Sequence, residues 1–136
     1  MQKEELFRTM INQKCREVHA DAKAKGWWEI EKSPLEIYAL VISEISEAVE
    51  EARKGSPAIY FESKIGGGKI LQLHEVNQSR PDFNQMKPEG EAVEMADAII
   101  RMFDWCGFKG WDLGKAIEMK IAYNKTRSHR HGGKLY

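Results

Sequence analysis

The stretch EAVEMADAIIRMFDWCG, residues 91–107, limits what this chain can become. Its spacing predicts a helix from near Glu91 to just before Gly107, with Val93, Met95, Ala96, Ile99, Ile100 and Phe103 spread around most of the circumference. A helix that is apolar nearly all round has to be enclosed. Three further segments have the pattern needed to enclose it. Residues 3–25 place Phe7, Met10, Cys15, Val18 and Ala22 on one face, and Gly26 is placed to end the helix. In SPLE, Ser33 is an N-cap, Pro34 takes the first helical position and Glu36 completes a capping box. That second helix runs to about Lys54, with an apolar stripe of Tyr38, Val41, Ile42, Ile45 and Val49. Asp112 caps a fourth helix over about 113–127. The expected fold is all-α, a four-helix bundle formed as a single domain over residues 1–136.

Residues 56–90 break the pattern. They hold Pro57, Pro81, Pro88 and the run Gly66-Gly67-Gly68, flanked by AIYFE and KILQLHEV, which have the composition of short strands. An irregular insertion with a β-hairpin pattern is expected there. The length of 136 residues suits one domain with its own core. Basic and acidic residues balance at 21 each, so overall charge predicts no polyanionic partner. Cys15 and Cys106 fall inside apolar patterns and read as reduced core residues. The opening MQKEELFRTM lacks the apolar run of a signal peptide, and no stretch reaches the length of a membrane span. A soluble, cytoplasmic protein is expected, with no membrane partner.

The acids are distributed unevenly. In SEISEAVEEAR, residues 43–53, Glu44, Glu47 and Glu51 lie within about 60° of one another on the second helix. Each like-charged neighbour pair costs about 0.2–0.5 kcal/mol. The strip borders the apolar stripe, whereas Glu50 points away and reads as surface; Glu51 suits either a site or a solvated edge. On the third helix the polar strip is narrow: Glu94, Asp97, Arg101 and Asp104. Burying an unpaired charge is prohibitive. Arg101 reaches Asp97 one turn away, or Glu94 by a longer path, but one Arg cannot neutralise both helices. Side by side, the helices bring Glu44, Glu47, Glu94 and Asp97 together as all-oxygen ligands for a hard divalent ion, Mg2+ or Mn2+. Zinc would want His or Cys, and a di-iron bundle would want Glu-x-x-His pairs.

The fourth helix carries opposite charge. Lys120, Asn124 and Arg127 share a face, and Lys125, His129, Arg130, His131 and Lys134 follow. Cations facing a carboxylate-bound Mg2+ are what a polyphosphate requires. Other features count for less. The GGGK at residues 66–69 lacks the spaced glycine and the hydroxyl residue of a phosphate loop. His19 flanks an apolar face and reads as a satisfied edge residue. The tail KTRSHRH has no interleaved aromatic, which argues against nucleic acid as a partner.

Taken together, SEISEAVEEAR, KPEGEAVEMADAIIRMFDWCG, KGWW and KIAYNKTRSHRHGGK resemble the motifs of MazG-like proteins, in the all-α nucleoside triphosphate pyrophosphatase superfamily. The likeness covers about residues 15–134. It implies Mg2+-dependent hydrolysis of nucleoside triphosphates to the monophosphate and pyrophosphate. By that resemblance Glu44, Glu47, Glu94 and Asp97 hold the metal, and Glu44, Glu47 or the metal itself activates water. Lys120, Asn124, Arg127 and Lys134 bind phosphates and ribose, and Trp27 or Trp28 stacks the base. A homodimer or homotetramer is implied as well. The 56–90 insertion makes the spacing from Glu47 to Glu94 longer than in many members of the family. The competing reading is a non-catalytic helical module that binds a nucleotide or a protein.

Overall fold

A computed structural model describes residues 2–63, 69–72, 75–76, 79 and 86–127. Most of these are helical: α1 (Lys3–Ala24), α2 (Pro34–Lys54), α3 (Glu91–Lys109) and α4 (Leu113–Thr126). Three short strands, β1 (Tyr60–Ser63), β2 (Lys69–Gln72) and β3 (Lys87–Glu89), lie between α2 and α3. The caps fall where side-chain chemistry puts them. Ser33 Oγ accepts from Glu36 N at 3.2 Å at the start of α2, and Asp112 Oδ1 accepts from Lys115 N at 3.0 Å at the start of α4. No helix among the described residues is long and apolar enough to cross a membrane. The chain divides into two compact units, one comprising Met1–Glu31 and Phe103–Tyr136, the other Lys32–Met102.

The first unit is built on α1, α4 and the end of α3. Buried Cys15, Ala22, Trp105 and Cys106 form its core, and both cysteines are free thiols. The helices approach closely at small residues. A Cβ on Gly107 would lie 2.3 Å from the Cys15 carbonyl oxygen, and one on Gly114 would lie 2.7 Å from Arg8 Cα. Gly107 therefore does not end α3, contrary to the sequence expectation. The helix runs through it to Lys109, because the missing side chain is what lets α3 touch the α1 backbone. Asn12 adds a polar tie to α4: its Nδ2 donates to Asp112 Oδ1 at 2.7 Å and its Oδ1 accepts from Gly114 N at 3.0 Å.

The second unit contains α2, the sheet and the start of α3. The strand order is β2-β1-β3, antiparallel throughout, with Phe61 opposite Leu71 on one side and Pro88 on the other. The expected hairpin is β1 with β2; the glycine turn expected to join them lies outside the described residues. β3 was not expected. Pro88 argues against a strand in sequence, but at the edge of a sheet its missing N–H need not pair. The burial of α2 also departs from expectation. Its apolar stripe is largely exposed, with Ile42 at 65% and Val49 at 51%, while Ile37, Glu44, Ala48 and Glu51 are buried. Met95, Ile99, Ile100 and Met102 of α3 are exposed too, so the all-round apolar surface of that helix is only partly covered within one chain.

Gly107→Ala is expected to lower unfolding stability by about 1–3 kcal/mol, the usual cost of overpacking a close contact. An unchanged midpoint in urea titration would show that α3 does not press on α1 at Cys15.

Candidate metal centre

The inner face of α2 is set by spacing. Ile37, Glu44, Ala48 and Glu51 follow one another at seven, four and three residues, the repeat of a single helix face. Two of those inward positions are acidic, and each has its own partner. Glu51 is answered from β1: Tyr60 Oη lies 3.1 Å from both Glu51 carboxylate oxygens and 3.3 Å from Glu89 Oε2. One hydroxyl proton serves two carboxylates. Burial, the hydrogen bond to Glu51 and the charges of Glu51 and Glu89 push the Tyr60 phenol up to about 12. Glu51, open to two readings in sequence, thus pins α2 to the sheet.

Glu44 faces the other acids. The start of α3 is held against the chain before β1, where Ala92 N donates to Ala58 O at 3.0 Å. Gly90 makes this approach possible. Its φ is +119°, and a Cβ there would lie 2.3 Å from Ala58 O. The anchored first turn carries Glu91 and Glu94, where the positive end of the helix dipole favours negative charge. Asp97 follows one turn on. Glu44, Glu94 and Asp97 each offer a carboxylate oxygen, and these oxygens lie within 4.8 Å of one another.

The electrostatics of this cluster are unfavourable without a cation. Burial, then the hydrogen bond and charge of Glu47, then the charges of Asp97 and Glu44, push the Glu94 carboxyl up to about 7. Its Oε2 is buried and has no hydrogen-bond partner among the described residues. Asp97 is raised by burial and by Glu44, against the opposing charges of Arg101 and Lys87. Arg101 Nε donates to Glu44 Oε1 at 2.8 Å, reaching across to α2 rather than along its own helix to Asp97. Three crowded carboxylates, one with an orphaned buried oxygen, fit a hard cation with oxygen preference. Glu47 is exposed and stands beside the cluster, within hydrogen-bonding reach of Glu94.

The remaining expected site residues lie in the other unit. Lys120 and Asn124 are exposed on α4, Arg127 is exposed just past its end, and Lys120 Nζ sits 5.0 Å from the Tyr123 ring centroid. Lys134, His129 and His131 fall outside the described residues. Trp27 is 59% exposed. Trp28 is engaged: its ring stacks on Phe108 with centroids 4.4 Å apart, and its Nε1–H donates to Asp104 Oδ1 at 2.9 Å. The same Asp104 oxygen lies 2.8 Å from His19 Nδ1, so His19 is satisfied, as an edge residue should be. Asp104 was visible in sequence only as one more acid on the polar strip of α3. Its two ring N–H partners come from residues 76 and 85 positions away, and no local pattern reports them.

Comparison with family models, curated proteins and solved structures returns no match for this chain.

A carboxyl raised in the folded state contributes to stability in its protonated form. Glu94 therefore helps most at acid pH, and its contribution is lost as pH climbs from 4.5 through about 7. Carboxyl-carbon NMR on the metal-free protein is expected to show one Glu titrating near 7. Glu47→Gln is expected to bring that midpoint down, because a neighbouring charge is removed. An unmoved midpoint would place Glu47 away from Glu94.

Proposed function

We propose that this protein is a Mg2+-dependent nucleoside triphosphate pyrophosphohydrolase that controls or cleans the nucleotide pool, with dNTPs as its expected substrates. The observation that carries the reading is the convergence of Glu44, Glu94 and Asp97 from α2 and α3, with a buried Glu94 oxygen that no donor satisfies among the described residues. The resemblance of the same residues to the MazG-like motifs supplies the reaction class. When bound, Mg2+ neutralises phosphate oxygens and acidifies water.

The chain's own residues take the other roles. Glu44, Glu94 and Asp97 hold the cation. Glu47, exposed beside them, is the residue suited to accept the proton of the attacking water. Lys120, Asn124, Arg127 and Lys134 supply the charge and hydrogen bonds that a triphosphate and its ribose need. Trp27 offers an exposed ring for the base, while Trp28 is held by Phe108 and Asp104. A second copy of the chain is part of the proposal. The exposed stripe of Leu35, Tyr38, Ile42, Ile45 and Val49 on α2 supports a homodimer or homotetramer, since a contiguous apolar face on a helix is costly to leave wet.

Incubation of a dNTP with the protein and Mg2+ is expected to yield dNMP and pyrophosphate. Release of dNDP and phosphate would rule out this reaction. Glu47→Gln and Asp97→Asn are expected to lower turnover by at least about a hundredfold, in the range lost with a general base, while leaving the helical circular dichroism intact. Absence of pyrophosphate from every NTP, with no thermal shift on adding Mg2+, would return the protein to the class of helical binding modules. Light scattering is expected to give a dimer or tetramer, and Ile42→Glu is expected to shift it toward monomer. A monomeric wild type would remove the subunit contact from the proposal.

A further inference from the structure

The carboxylate cluster already contains a cation, contributed by the chain. Arg101 Nε lies 2.8 Å from Glu44 Oε1, and Glu44 is one of the three residues whose oxygens converge. We propose that Arg101 is an internal counter-cation of the cluster, which a divalent ion displaces from Glu44; this rests on the metal-centre reading above.

Two features support exchange rather than a fixed structural pair. The Glu44 side chain is 10% exposed and the Arg101 side chain 39%. The carboxylate is held in place on the inner face of α2, while the guanidinium has open solvent to move into. A guanidinium also stays charged at any ordinary pH, so it cannot lose its proton to make way for a metal. A divalent ion that takes Glu44 Oε1 competes with it for that oxygen, and the two positive charges repel across it. Without a partner, Glu44 would be a desolvated charge facing Glu94 and Asp97, which is strongly unfavourable. Arg101 removes that penalty while the centre is empty. It thereby lowers the apparent affinity of the bare carboxylates for metal and sets a threshold concentration for loading. In this role Arg101 is a positioning residue that acts through Glu44.

The test is Mn2+ binding by calorimetry to the full-length wild type and Arg101→Gln. It is joined by nitrogen-15 NMR of the arginine Nε–H groups in the wild type during Mg2+ titration. The Arg101 signal is assigned by its loss in Arg101→Lys. Arg101→Gln is expected to bind Mn2+ about tenfold more tightly, the equivalent of one charge-assisted hydrogen bond released. It is also expected to melt earlier than wild type without metal and to recover most of the difference at saturating Mn2+. The Arg101 Nε–H signal is expected to move with the same midpoint as Mg2+ binding. Metal binding that leaves that signal unmoved, or an equal or weaker Mn2+ affinity in Arg101→Gln, would overturn the displacement while leaving the metal centre standing. No metal binding by wild type or variant would overturn the metal centre itself, and this inference with it. The wild-type NMR titration decides the question even if Arg101→Gln does not fold.

Discussion

A carboxylate turned away from water has to be answered by something, and the second unit is arranged around that demand. The inner face of α2 spends two of its positions on acids. Glu51 receives the hydroxyl of Tyr60, and Glu44 receives the guanidinium of Arg101. Both answers come from other elements, so each acid fixes a neighbour as well as itself. Tyr60 brings β1 to α2, and β1 in turn carries β3, whose last residue is followed directly by Gly90 and the first turn of α3. Glu94 is thereby set down beside Glu47 with one oxygen unanswered among the described residues. The unfavourable cluster follows from contacts that are each favourable.

The first unit uses polar groups differently. Asn12 reads the start of α4 with both ends of its amide, and Asp104 gathers the indole of Trp28 and the imidazole of His19. These ties orient an aromatic group in which Trp28, Trp105 and Phe108 lie against one another. Hydrogen bonds of this kind add about 1 kcal/mol each in net terms. Their larger effect is on uniqueness, because stacked rings without directional anchors can slide.

Much of this was legible in the sequence. The four helices, the caps at Ser33 and Asp112, and the paired acids on α2 and α3 all follow from spacing and local chemistry. Local chemistry does not report how far a helix tolerates another backbone, and so Gly107 looked like a stop when it is a contact. Hydrophobic periodicity identifies an apolar stripe on α2 but not what covers it, and within one chain that stripe is exposed. The hydrogen-bond partner of Arg101 was hidden for a related reason. Sequence offers the neighbour one turn away on the same helix, Asp97, whose carboxyl does feel the Arg101 charge, and the fold adds Glu44, 57 positions earlier. The role of β3 was hidden by Pro88, since edge and centre of a sheet cannot be told apart in a three-residue strand.

The sheet order has one further consequence. Because β1 lies in the middle, β2 and β3 each pair with β1 and not with one another. Tyr60 stands opposite Gln72 on one side and Glu89 on the other, so the residue that answers Glu51 also marks the register of both neighbours. A one-residue slip of β3 along β1 would turn its side chains to the opposite face and carry Gly90 away from Ala58, and with it the first turn of α3 that bears Glu94. The position of the carboxylate cluster is thus tied to strand register.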